Sequence, residues 1–407
     1  MSTDRTESSA AAARAGRLRD PLDFSIVLGG PLFNLLRRAR LSDDALELVR
    51  RRIVVFSLIA WLPLLLLSAL DGHLLGGSVA IPFLMDFGSH VRFLVAMPLL
   101  IAAEFIVHKR LHTVMLTFME RHIVPEDDKS RFQAAIASAT RLRDSMLAEL
   151  LLIALVYLVG VTVIWRHYAM LTTPTWYATP AADGPHLTLA GLWFGYVSVP
   201  LLQFLLFRWY YRIVIWARLL WQVSRIELSL VPTHPDRVGG LGFLTLTPRA
   251  FTPLLVAHGA VLSAGLANQI FYLGGNLAQF KFEILLVVIL MLCLFLGPLL
   301  VFTSQLARAK RVGLGEYGTL AEAYARAFET KWLRGQANGE PLLGSSDIQS
   351  LADMGNSVAA VQGMRISLVT REAVNLIAAA TIVPVLPLLL TLMPLEDLLK
   401  KLVGLLM

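Results

Sequence analysis

What the sequence is short of narrows it first. One cysteine in 407 residues, Cys293, excludes an intramolecular disulfide and a cysteine-based metal site. Only 16% of the residues are charged, against about 25% in soluble domains. That deficit makes a lipid bilayer the expected solvent, and the 56% hydrophobic content agrees. No Walker loop, G-x-S-x-G elbow or H-E-x-x-H helix occurs. No internal repeat is legible, which removes one pointer to transporter architectures. The N-terminus has no short apolar core followed by a small-residue cleavage site, so the first span is expected to serve as an uncleaved insertion signal. The net charge of +7 raises nucleic acid as a partner. Its placement argues against that, because the basic residues flank apolar blocks and form no stripe interleaved with aromatics. Nothing implies a cofactor.

What is there is a series of apolar blocks. Spans are expected at 53–70, 92–107, 147–164, 187–207, 251–273, 284–303 and 373–392, the last interrupted by Pro384 and Pro387. The expected class is therefore all-α, a polytopic membrane protein with about seven transmembrane helices and a small cytoplasmic helical subdomain. Residues 1–52 divide into a polar tail, an amphipathic interfacial piece at Pro31–Arg38 and a helix start capped at Ser42. Residues 53–303 form a six-span domain. Within it, a stalk opening at Pro125 carries Phe132, Ile136, Ala139 and Met146 at helical spacing and is expected to run unbroken into the third span. Residues 231–250 form a central loop, and residues 304–372 a cytoplasmic helical segment. In that segment Thr319-Leu-Ala-Glu322 reads as a capping box, with Leu320, Tyr324, Phe328 and Trp332 on the following face. Ser346-Asp-Ile-Gln349 reads as a second start, with Ile348, Leu351 and Val358 inward. These helices are expected to pack on the stalk or on another subunit. Residues 373–407 supply the seventh span and an amphipathic tail.

Charge sets the orientation. Of the 36 Lys and Arg residues, 31 fall on one side of this layout. The N-terminus is therefore expected in the cytoplasm and the C-terminus outside, with Trp165, Tyr168, Trp176 and Tyr177 as an outer-interface belt. A tail that doubles back, or a re-entrant last span, is the alternative.

Polar, proline and glycine residues crowd together at one point, Val231-Pro-Thr-His-Pro-Asp-Arg-Val-Gly-Gly-Leu-Gly-Phe-Leu244. The run His234-Pro-Asp-Arg-Val-Gly-Gly-Leu-Gly-Phe-Leu244 resembles one in a family of uncharacterised bacterial multi-pass inner-membrane proteins. The ending Met393-Pro-Leu-Glu-Asp-Leu-Leu-Lys-Lys-Leu402 is similar too. The resemblance covers roughly two dozen residues and implies a bacterial inner-membrane protein, with no activity to transfer.

The loop has a physical case as a ligand site. Gly239, Gly240 and Gly242 permit positive φ and let backbone N–H groups converge on an anion. Arg237 supplies charge, while His234 and Asp236 are suited to proton exchange near neutral pH. The competing reading is a Pro-Asp turn with a glycine hinge. In span five, His258, Leu262, Gly265 and Gln269 share one face beside a small-residue ridge of Gly259, Ser263 and Ala267. That stripe either lines a permeation path or makes a helix contact. Glu104 lies one turn before His108 and reads as an interfacial pair or a proton carrier. Asp71, His73, Asp86, His90, Asp183 and His186 are metal-ligand types without a familiar spacing, so no metal is expected.

Three functions follow as expectations. The first is a channel or transporter for a small ion or solute. The second is a membrane-embedded lipid-headgroup binder or enzyme using the 234–242 loop. The third is a structural or assembly protein that recruits a cytoplasmic partner through 319–364, with homo-oligomerisation. Membrane lipid is a partner in each. No catalytic residue is assigned, and whether the chain is an enzyme stays open.

Overall fold

The computed structural model describes residues 24–38, 48–76, 79–165, 174–179, 186–335, 339–341 and 343–391. The polar tail, the Ser42 cap, Tyr168, Asp183 and the amphipathic C-terminal piece lie outside them. Within the described residues helix dominates. The helices are α1 Pro31–Arg38, α2 Val49–Leu70, α3 Phe87–Glu120 and α4 Lys129–Arg143. Then come α5 Met146–Leu155, continued as a π-helix over Val156–Trp165, and α6 Leu189–Val223. A 3₁₀ segment, Leu241–Phe251, leads into α7 Thr252–Leu273. Next are α8 Leu277–Leu333, α9 Ser346–Gln362 and α10 Arg371–Ile382, the last extended by a 3₁₀ turn over Val383–Thr391. One small hairpin pairs Ala178–Thr179 with His186–Leu187. Six helices are long and apolar enough to cross a membrane, and the expected third span, Met146–Gly160, is a shorter apolar helix.

Proline explains two of the π turns. In α3 a π turn at Arg92–Ala96 stands just before Pro98, and in α6 one at Phe194–Ser198 stands just before Pro200. Proline lacks the N–H that would bond the carbonyl four residues back and crowds that carbonyl, so the turn ahead of it widens. Pro384 and Pro387 act differently. They tighten the end of α10 into the 3₁₀ form and do not break it.

Three expectations need correcting. The stalk and the third span are two helices, because Ser145 is extended at φ −70°, ψ 114° and its Oγ caps α5 through Ala148 N. Phe132, Ile136 and Ala139 are buried as expected, but Met146 is exposed. The Thr319 capping box opens nothing. It lies inside α8, whose preceding turns are already helical, so no free N–H groups await a cap. Finally, Trp176 and Tyr177 form no interfacial belt. Trp176 is fully buried among Phe83, Tyr177 and Phe194, and its Nε1 donates to Asp86 at 3.0 Å.

Close packing of α7 on α10 confirms part of the small-residue ridge. A Cβ on Gly259 would run into the Thr381 carbonyl oxygen, whereas one on Gly265 would meet nothing. Ala267 is buried against Val385 and Leu388. Gly259→Ala is accordingly expected to destabilise the protein by about 1–3 kcal/mol, the usual cost of overpacking. Gly265→Ala should leave stability unchanged or raise it slightly, since it only stiffens the unfolded chain. Thermal unfolding of both variants in one detergent checks the contrast.

Candidate functional site

Five ionisable side chains from four helices meet where they are shielded from solvent. Arg52 of α2, Glu104 of α3, Glu149 of α5, and Arg208 and Arg212 of α6 are each at most 8% exposed. Glu104 is the centre. It is ion-paired with Arg52, with Arg212 at 2.7 Å and with Arg208 at 3.5 Å. Arg208 also reaches Glu149 at 3.6 Å. The other Glu149 oxygen accepts the Leu32 amide at 2.7 Å, which ties α1 to the bundle through one of its free N-terminal N–H groups. Arg212 donates to the Val27 carbonyl at 3.4 Å, so the segment before α1, with Phe24, Ile26 and Val27 buried, lies over the cluster. Three guanidinium groups face two carboxylates, leaving one formal positive charge in excess.

Helix lengths locate the cluster. From the residue beside it to the far end of each helix run 18 residues in α2 (53–70), 17 in α3 (87–103) and 19 in α6 (189–207). At 1.5 Å per residue each is about 25–29 Å, close to the hydrocarbon thickness of about 30 Å. The charges therefore sit level with one edge of the apolar layer. They are enclosed by protein there, which removes the choice of facing water. Beyond that level α3, α4 and α6 continue as a second packed layer, with Phe118, Phe132, Leu219, Leu220 and Leu241 buried.

The central loop lies in that second layer, away from a span entrance. Trp209–Val223 runs outward for about 22 Å at 1.5 Å per residue. The eleven residues of Leu241–Phe251 return the same distance at about 2.0 Å each. In the loop the amides converge as the glycines suggest, but on the chain's own carboxylate. Asp236 accepts from Val238 N at 2.9 Å, Gly240 N at 3.1 Å and Gly242 N at 2.7 Å. His234 Nδ1 lies 2.9 Å from Asp236 Oδ1. Gly240 takes φ +98°, and a Cβ at Gly242 would collide with the Asp236 carboxylate, so both must be glycine. Gly239 and Arg237 also take positive φ, +66° and +58°. The Arg237 carbonyl accepts Arg365 N at 2.7 Å. The loop residues are thus brought together around an internal anion.

The span-five stripe is not brought together. His258 is held on both nitrogens, Nδ1 against the Leu254 carbonyl at 2.7 Å and Nε2 against the Tyr210 hydroxyl at 2.6 Å. Gly265 faces open space and Gln269 is exposed. Farther along α7, Asn268 donates to Asp86 at 2.7 Å. Asp86 also accepts from Ser89 Oγ at 2.6 Å, and His90 Nδ1 accepts from Trp61 Nε1 at 2.9 Å. Among the described residues no three His, Cys, Asp or Glu side chains converge as a metal cage.

The cluster is not legible from single elements. His108, one turn after Glu104, contacts Ser25 Oγ at 2.8 Å. The signal was present in the residues themselves. Glu149 interrupts an apolar helix, and Arg208 and Arg212 stand one turn apart beyond the apolar part of α6. Charges of opposite sign at matching depths in neighbouring helices require each other. No protein-family model, curated protein or solved structure matches the chain.

Glu104→Gln strands three buried guanidinium groups with one distant carboxylate and is expected to cost about 3–5 kcal/mol. Glu149→Gln should cost less, because an amide oxygen still accepts the Leu32 N–H. Unfolding of the two variants in detergent measures the difference. A second prediction concerns pH. Burial works to raise the Asp236 pKa, but the three amide bonds and then His234 outweigh it, so the carboxyl titrates below its ordinary range. A lowered folded pKa contributes stability above the unfolded value of about 3.9 and loses it as pH falls through the folded value. Hydrogen exchange at Val238, Gly240 and Gly242 should accelerate below that point beyond its intrinsic pH dependence. In Asp236→Asn one acceptor oxygen is replaced by an NH2 donor, so the Gly242 amide, which bonds the second carboxylate oxygen, should exchange fast throughout.

Proposed function

We propose that this chain is a multi-pass integral protein of the bacterial inner membrane that serves as an assembly platform, presenting a helical arm to a protein partner in the cytoplasm. The observation that carries the proposal is the length of α8. Its 57 residues run through a 3₁₀ segment at Gly297–Phe302 into the 26-residue α-helical stretch Thr303–Phe328, and about 20 residues suffice to cross the hydrocarbon, so more than half of it stands outside the bilayer. The excess folds with α9 into a hairpin. Its base rests on the central loop, where Gly313 passes against Pro232 and Lys310 Nζ donates to the carbonyls of Gln362 at 2.8 Å and Met364 at 2.7 Å. Its outer end is fastened at Asp347, which accepts from Lys331 Nζ at 2.7 Å and Trp332 Nε1 at 3.0 Å. Those bonds hold the Asp347 carboxyl below its ordinary pKa.

Two helices cannot cover their own apolar residues. Tyr324, Phe328 and Trp332 line the seam, as do Leu351 and Val358, but Leu320 is 54% and Ile348 45% exposed. Exposed apolar residues on a rigid arm are suited to a protein contact. The 31 basic residues on the arm's side support a cytoplasmic location and an N-terminus inside. The 20 residues of Met146–Trp165 are apolar and long enough for a seventh crossing.

Transport is the second reading, and the buried cluster is what favours it, because ionisable groups enclosed in a membrane bundle commonly serve ion or solute pathways. Two experiments separate the readings. A photo-crosslinker at Leu320 should give one discrete protein adduct in cells, and Ile348→Glu should abolish it. Adducts to lipid alone would sink the platform. Flux of protons, potassium or small anions across proteoliposomes, changed by Glu104→Gln or His258→Ala, would establish transport instead.

A further inference from the structure

A hollow of about 570 Å³ separates α4 from the end of α6 in the layer beyond the cluster. Arg131, Arg141 and Arg225 line it together with Ala134, Ala135 and Ser138 of α4, and no carboxylate is among the described residues that do. In this layer Arg143 is paired with Asp144 at 2.8 Å and Arg308 with Glu227 at 3.6 Å. Two of the three arginines of the hollow have no such partner. Arg141 and Arg225 form no ion pair among the described residues, and the Arg225 guanidinium is held over the Trp221 ring at 5.2 Å. Arg131 is shared with Asp128 at 3.2 Å, at the outer margin.

We propose that this hollow binds a phosphate-bearing anion, with Arg141 and Arg225 as the paired clamp, Ser138 as a neutral donor and Arg131 supplying long-range charge. Guanidinium groups present forked N–H donors that match phosphate oxygens, which a single ammonium does not. The alanines at 134 and 135 leave room between the helices for an anion in an open groove. Arg141 lies two residues before the α4 terminus that packs near the apolar boundary, where Tyr211 Oη donates to the Leu142 carbonyl at 2.7 Å. Arg131 and Arg225 lie farther out. A soluble phosphoester reaches both ends of the hollow, and an anionic lipid headgroup reaches the Arg141 end. The site is independent of the α8–α9 arm, so its fate does not decide the platform reading.

The test uses the full-length protein in nanodiscs. In discs of zwitterionic lipid, titration with inorganic pyrophosphate should saturate, weaken as salt rises, and weaken about tenfold or more in the Arg141→Ala/Arg225→Ala double variant. In discs containing phosphatidic acid, the same comparison is read as lipid retained by the purified protein. Binding of pyrophosphate assigns a soluble phosphoester, and selective retention of phosphatidic acid alone assigns a headgroup. Arg218→Ala, at an exposed position of α6 that does not line the hollow, should bind as the wild type does. Arg141→Lys/Arg225→Lys keeps the charge and guards against a folding defect, and its affinity should be intermediate. The proposal fails if neither anion binds saturably, or if the double alanine variant binds both as well as the wild type.

Discussion

Glu104 among three arginines is the contact on which the rest of the structure depends. Taking charges out of water costs several kcal/mol each, and only close partners offset that cost. Because the partners come from α2, α3 and α6, with Glu149 of α5 one step away, the cluster has a favourable arrangement only when those four helices stand at one relative depth. Apolar packing in lipid gives little such selection, since a leucine contact is nearly as favourable one turn higher. The charges fix the register, and the apolar surfaces then close around it.

From that level the chain extends in two directions with different physics. On one side lie apolar stretches close to the thickness of hydrocarbon, closed at the far end by Asp86 with Ser89, Trp176 and Asn268. On the other, the same helices continue into a layer with an ordinary buried core. The central loop organises that layer. Asp236 stabilises the turn by occupying three amides, and the turn offers the Arg237 carbonyl and Pro232 to the base of the arm. Its glycines serve a close approach of backbone to an internal carboxylate, which is also what an external anion would have required.

That equivalence marks the limit of what the sequence discloses. Apolar blocks, the α9 start near Ser346 and the close packing at Gly259 were legible, because each depends on residues close in sequence or on one helix face. The partition of α4 from α5 at Ser145 was not, since an isolated serine in a helical pattern is as often a bystander as a cap. Nor was the uninterrupted course of α8, where a good capping box at Thr319 is overridden by the helix already formed ahead of it. The cluster depended on contacts 40 or more residues apart, visible in sequence only as charges placed where single helices have no use for them.

A platform role requires α8 to leave the bilayer as one helical run, and the lone cysteine, Cys293, makes that directly measurable. In a Cys293→Ala background, single cysteines are placed along 281–330 and probed with a membrane-impermeant thiol reagent in sealed vesicles of each orientation. The account predicts protection through about the first 20 residues, then reaction from one side only over 314–330, with helical periodicity where α9 covers the seam. Protection across the whole stretch, or reaction from both sides, would contradict it.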